Sequence, residues 1–191
     1  MSVLTSGRTE LACYDNIGGI RNVYLFKYVD YAYNQIITSG QELVTFPATT
    51  IYKYEIQSGG FVENIQNDEQ GVLYQQSCNF TLVQQNLLTT NELDLLTKID
   101  LRYIVEFNDG SYKIGGLYNG AKITSLDLTS GGSKKDFNGY SITINSSEEY
   151  ESFYIDDLSS TGFTIFSPTI NYVFMNDDNF VFQDLNNFIF N

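Results

Sequence analysis

Histidine and tryptophan are missing from this 191-residue chain, and proline and cysteine appear only twice each. Without histidine, Ser-His-Asp and Cys-His catalysis and every histidine-containing metal site are excluded. Two cysteines, Cys13 and Cys78, cannot build a structural zinc site. They read as two buried free thiols in a reducing cytoplasm. Cations are scarce: 10 Lys+Arg against 23 Asp+Glu give a net charge of −13. Such a surface repels phosphate, so a DNA-gripping role is disfavoured. No apolar run approaches the roughly 20 residues of a membrane span. The first eight residues lack the charged and apolar regions of a signal peptide, which reads as a protein made and kept in a cytoplasm.

What is present points to sheet. The chain has 15 Tyr, 14 Phe and 15 Gly, and 42% of its residues are hydrophobic. Aromatic and β-branched residues suit a pleated, half-buried surface, and the length suits one domain with a real core. Strands are predicted over 22–29 and 50–57, and a long one over 72–83. Residues 61–71 read as a long exposed hairpin or loop. Thr89 and Glu92 have capping-box spacing and Leu93 and Leu96 share a stripe, so one helix is predicted over 89–101. Asp94 and Lys98 are placed for an i,i+4 pair on it. Asn108-Asp109-Gly110 is a hairpin signal, because its turn needs positive φ. Asn119-Gly120 and Asn138-Gly139 repeat that chemistry. The segment 130–135 reads as a solvated connector.

The end of the chain repeats with a period of eight: Tyr172-Val-Phe-Met-Asn-Asp-Asp-Asn179, then Phe180-Val-Phe-Gln-Asp-Leu-Asn-Asn187, then Phe188-Ile-Phe190. The pattern suits short strands with tight turns. So many aromatics need cover from their own core or from a neighbour. Pro168 divides this extension, 168–191, from a main domain, 1–167.

No residue cluster carries chemistry convincingly. The pairs Glu148-Glu149, Asp156-Asp157 and Asp177-Asp178 read as solvated turn or strand-edge residues, since neighbours on a strand point to opposite faces. Asn176 to Asn179 does not have the spacing of an EF-hand loop. Gly18-Gly19 and Gly115-Gly116 lack the Lys-Ser/Thr ending of a phosphate loop. The expectation is therefore no catalytic residue, no metal and no cofactor. The tyrosines could serve as sugar-stacking platforms, although aromatic strand packing is their plainer use.

One block carries a resemblance. Leu73-Tyr74 and Phe80-Thr-Leu82 precede the helix, Asn91-Glu-Leu93 lies in it, and Ile104-Val105 follows. The Asn108-Asp-Gly110 turn, Ile114-Gly-Gly116 and Asn138-Gly-Tyr-Ser-Ile-Thr-Ile144 complete it. Upstream, Cys13-Tyr-Asp15, Gly18-Gly-Ile20 and Val23-Tyr24 fit the same pattern. With these segments the chain resembles the tail-tube and tail-ring proteins of tailed bacteriophages, and more narrowly those of phages of Bacteroidetes hosts, including crAss-like phages. The resemblance covers about two-thirds of the chain as a pattern of strands and turns.

The resemblance implies a mainly β fold: an antiparallel sandwich or open barrel with one short flanking helix. It also implies a virion protein of the tail, assembled in the bacterial cytoplasm, with no catalytic residues to carry over. Copies would close into a ring, six- or twelve-fold, that lines a channel with DNA only as transiting cargo. Its neighbours would be adjacent tail or portal-connector rings, with no membrane involved. Six copies at −13 each would carry −78, and part of that acidity is expected to face the channel, where a basic wall would hold passing phosphates. The subunit interface is expected at Phe61, Val62, Ile65, Tyr172, Phe174, Phe180, Phe182, Phe188 and Phe190. The extension after Pro168 departs from a minimal tube subunit. The alternative reading is a glycan-binding β-sandwich module of an adhesin or tail fibre, with an exposed aromatic platform.

Overall fold

The computed structural model describes residues 18–68, 71–166, 172–176 and 179–183. The chain is mainly β, and its largest sheet curls into a half-barrel. In order its strands are β1 (Ile20–Lys27), β2 (Ile37–Ser39), β3 (Glu42–Thr45), β4 (Thr49–Glu55), β5 (Ser58–Asp68) and β6 (Gly71–Val83). After the helix α1 (Leu87–Leu96) come β7 (Leu101–Phe107), β8 (Tyr112–Gly115), β9 (Ala121–Thr129) and β10 (Gly139–Glu148). Then follow β11 (Phe153–Ile155), a one-turn helix α2 (Leu158–Thr161) and β12 (Phe163–Ile165). The sheet runs β2-β3-β11-β8-β7-β9-β10-β6-β5, with β1 bridging β7 and β4. A separate two-stranded ribbon is made by β13 (Tyr172–Asn176) and β14 (Asn179–Gln183).

β1 and β7 are central because both of their faces are buried. On one face Val23, Leu25, Tyr103 and Val105 join Cys78, Phe80, Tyr140, Ile142 and Ile144 inside the curl. On the other, Tyr24, Phe26 and Ile104 meet Leu43, Phe46, Ile51, Ile114 and Phe163. The period of two thus feeds two cores from one pair of strands. Short strands and α2 wall the second core. Leu93 of α1 plugs the first, with Leu96 partly buried beside it.

The sequence reading needs four corrections. The sheet is mixed, not wholly antiparallel, because β11 runs parallel to β3 and β12 parallel to β4. The helix spans 87–96, and its N-cap is Asn86, whose side chain accepts from Thr89 N; Thr89 is inside the first turn. Gly139 is in β10 and has no positive φ. It is glycine because an added Cβ would lie 2.0 Å from Leu82 O on β6. Finally, Glu148 is buried, for a reason given below.

Four local expectations about turns, the ion pair, the thiol and the ribbon hold. Gly110 turns the β7–β8 hairpin at φ +87, and Gly120 has φ +79. Lys98 Nζ meets Asp94 at 2.6 Å. Cys78 is a buried free thiol, which burial pushes up to about 12; Cys13 lies outside the described residues. The ribbon pairs Tyr172 with Gln183 and Asn176 with Asn179, two short strands as the eight-residue repeat suggests.

Candidate interaction surface

The β5–β6 hairpin is the longest feature of the sheet, 11 residues paired with 13. Its register runs from Ser58 opposite Thr81 to Asp68 opposite Gly71. β10 covers the inner edge of β6 but stops at Glu148, opposite Tyr74. From Leu73 onward the hairpin extends past β10 by about 10 Å at the usual rise per residue. Among the described residues no strand pairs with the outer edge of β5. An edge this long is a template for another strand unless something covers it.

The predicted interface residues separate along this hairpin. Phe61 turns inward and packs against Tyr103 and Phe107, with ring centroids 6.4 and 6.3 Å away. Val62, on the opposite face, is 50% exposed, and Ile65, beyond the end of the core, is 60% exposed. Val72 and Leu73 across the hairpin are exposed as well. Tyr172, Phe174, Phe180 and Phe182 fall on the ribbon strands. Phe188 and Phe190 lie outside the described residues, as does the Asp177-Asp178 pair.

Polar residues buried nearby fasten segments together. Glu63 of β5 accepts from Ser152 N at 2.7 Å and Ser152 Oγ at 2.8 Å, and Gln76 Nε2 donates to it at 3.2 Å. Lys113 is 4.0 Å away. Glu106 accepts from Asn22 Nδ2 at 2.7 Å and Tyr24 Oη at 2.6 Å. Burial first, then that hydrogen bond, raises the Tyr24 phenol far above its ordinary range.

Arg102, 1% exposed, donates through Nε to Leu117 O and through Nη1 to Val29 O, both at 2.8 Å. Its guanidinium sits 4.2 Å over the Tyr28 ring. Glu148, 2% exposed, accepts from the backbone N–H groups of Tyr118 and Asn119 at 3.0 to 3.3 Å. Burial outweighs those donors and Arg102, pushing its carboxyl up to about 7. Sequence gave no sign of this, because the turn that buries Glu148 lies about thirty residues earlier.

Each of these carboxylates holds backbone or side-chain groups of its own fold. Asp109 and Asp157 are spent on turns: Asp109 Oδ1 accepts from Ser111 N, and Asp157 caps α2 through Ser160 N. Among the described residues no group of three potential ligands is placed to hold a metal ion. No helix among them is long and apolar enough to cross a membrane. Comparison with protein-family models, curated proteins and solved structures finds no match to this chain.

Proposed function

We propose that this chain is a non-enzymatic structural subunit of a phage tail, which assembles into a homo-oligomeric ring by β-pairing between copies. The observation that carries the reading is the β5–β6 hairpin: an 11-residue strand whose outer side is left open among the described residues, with Val62 and Ile65 in water. A monomer normally blunts such an edge, whereas a closed ring turns it into a joint. The strand-and-turn pattern of 72–144, on which the resemblance to tail-tube and tail-ring proteins rests, lies in the same half-barrel. The net charge of −13 suits a channel wall that lets DNA slide rather than stick.

Mass photometry and negative-stain microscopy of the purified chain test this directly. Annular particles are expected, and Val62→Lys with Ile65→Lys should abolish them while circular dichroism stays unchanged. A parent protein that remains monomeric at tens of micromolar would sink the reading, as would rings indifferent to both lysines.

A further inference from the structure

A second surface is built differently. The β1–β2 connection, the β8–β9 turn and the segment after β10 meet around a cavity of about 240 Å³. Tyr28, Tyr31, Tyr33, Tyr118 and Tyr150 line it. Five of the chain's 15 tyrosines line this one small cleft; Tyr31 and Tyr118 also back onto the second core, whereas Tyr33 and Tyr150 are exposed. Tyr33 is 66% exposed yet held in place: its ring stacks on Tyr118 at 5.1 Å with 8° between the planes. One face is therefore occupied and the other is offered to solvent. Tyr150 stands edge-on to Tyr118 at 5.6 Å.

Charge selects the ligand. The floor holds Arg102, whose guanidinium already takes the electron-rich faces of Tyr28 and Tyr31, at 4.2 and 5.4 Å. Those two rings are therefore spent on Arg102 and are not free to cage an ammonium group. The rim carries the carboxylates of Asp30 and Glu149, and the whole chain is acidic, so an anion is disfavoured too. What remains is a neutral molecule with one apolar face and many hydroxyls. Asp30 and Glu149 can accept from such hydroxyls. Asn119 can as well, because its Nδ2 donates to Ser147 O and leaves the Oδ1 as the acceptor.

The cleft is also preformed. Glu148 clamps the 118–119 turn from below, and Tyr28 Oη donates to Tyr118 O at 2.5 Å. Its volume lies just under the range of about 300–1,000 Å³ typical of sites for larger ligands, which suits a single sugar ring. We propose that this cleft binds a neutral pyranose, stacked on the free face of Tyr33, with its hydroxyls on Asp30, Glu149 and Asn119.

Saturation-transfer NMR and a glycan array on the full chain test it, with neutral hexopyranosides, sialylated glycans and tetramethylammonium as probes. Neutral sugars alone should bind. Tyr33→Ala and Tyr150→Ala, both at exposed positions, should each weaken binding by about tenfold with an unchanged melting temperature. Asp30→Asn should weaken it less. Absence of neutral-sugar binding, preference for either charged probe, or parental affinity in Tyr33→Ala would overturn the proposal.

Discussion

Two buried residues show how far polar chemistry here depends on packing. Glu148 has a folded-state pKa raised to about 7 by burial, above the ordinary carboxyl value of about 4.3. The folded state therefore binds more protons than the unfolded chain between those values. Its contribution is fully present below the unfolded pKa and is lost as pH rises through about 7. The part of this loss that falls from pH 5 to pH 8 should be on the order of 2–3 kcal/mol. Thermal melts of the parent should fall from pH 5 to pH 8, and Glu148→Gln should flatten that part of the profile. A parent curve flat over the same window would remove the cause assigned to burial. Tyr103 is the other case. Among the described residues its buried hydroxyl has no hydrogen-bond partner, and the nearby Ser146 donates to Gln76 instead. Tyr103→Phe should stabilise the fold by about 1 kcal/mol in urea unfolding, because an unsatisfied hydroxyl is removed. Gly115 is pinned by the same ring, since a Cβ there would lie 2.2 Å from Tyr103 Cζ. None of this was legible in the sequence: a tyrosine at a strand position shows that it packs, not whether its hydroxyl finds a partner.

Helix α1 illustrates what a sequence does and does not specify in one element. Its existence and its Leu93–Leu96 stripe were legible, because the apolar spacing is helical and the segment is set between strands. Its start was not. Thr89 and Glu92 have the spacing of a capping box, but Asn86 three residues earlier provides the cap. The choice is fixed by Tyr140 of β10, whose hydroxyl donates to Asn86 O at 3.0 Å and accepts from Asn86 N at 3.1 Å. A contact across 54 positions cannot be read from local spacing. The cost of starting early is that Leu87 and Leu88 lie in water. Asn86→Ala should cost about 1 kcal/mol, and Leu93→Ala about 2–5 kcal/mol, as for a buried leucine. Leu88→Ala, at a position 81% exposed, should stay within about 0.5 kcal/mol. Chemical denaturation of the three variants checks the order, and a Leu88→Ala loss as large as that of Leu93→Ala would misplace the buried face. The same logic separates the hairpins. Gly110 needs positive φ and announces its turn, while Gly139 is demanded by the neighbouring strand and looks identical in sequence. β11, β12 and α2 are three or four residues each, too short for any period, and their partners come from distant segments.

For the whole molecule, the two clusters that stabilise the fold draw, among the described residues, on positions between Ile20 and Phe163. Deleting 169–191 removes none of them, so the truncated chain should keep its melting temperature. If the aromatic extension docks on neighbouring copies, the same deletion should shift the distribution in mass photometry towards monomer. Salt provides a sharper separation of forces. Copies at −13 each repel one another, and that repulsion opposes assembly most at low ionic strength. The Debye length falls from about 30 Å at 0.01 M to about 8 Å at 0.15 M, so salt should weaken the repulsion between neighbouring subunits. Strand-to-strand hydrogen bonds and burial of Val62 and Ile65 are short-ranged and scarcely screened. A ring held by the β5 edge should therefore form at lower protein concentration as salt rises across this range, with a midpoint shifted by about tenfold or more. If sedimentation showed rings dissolving as salt rises, complementary charged patches, not the open strand, would be holding the copies together.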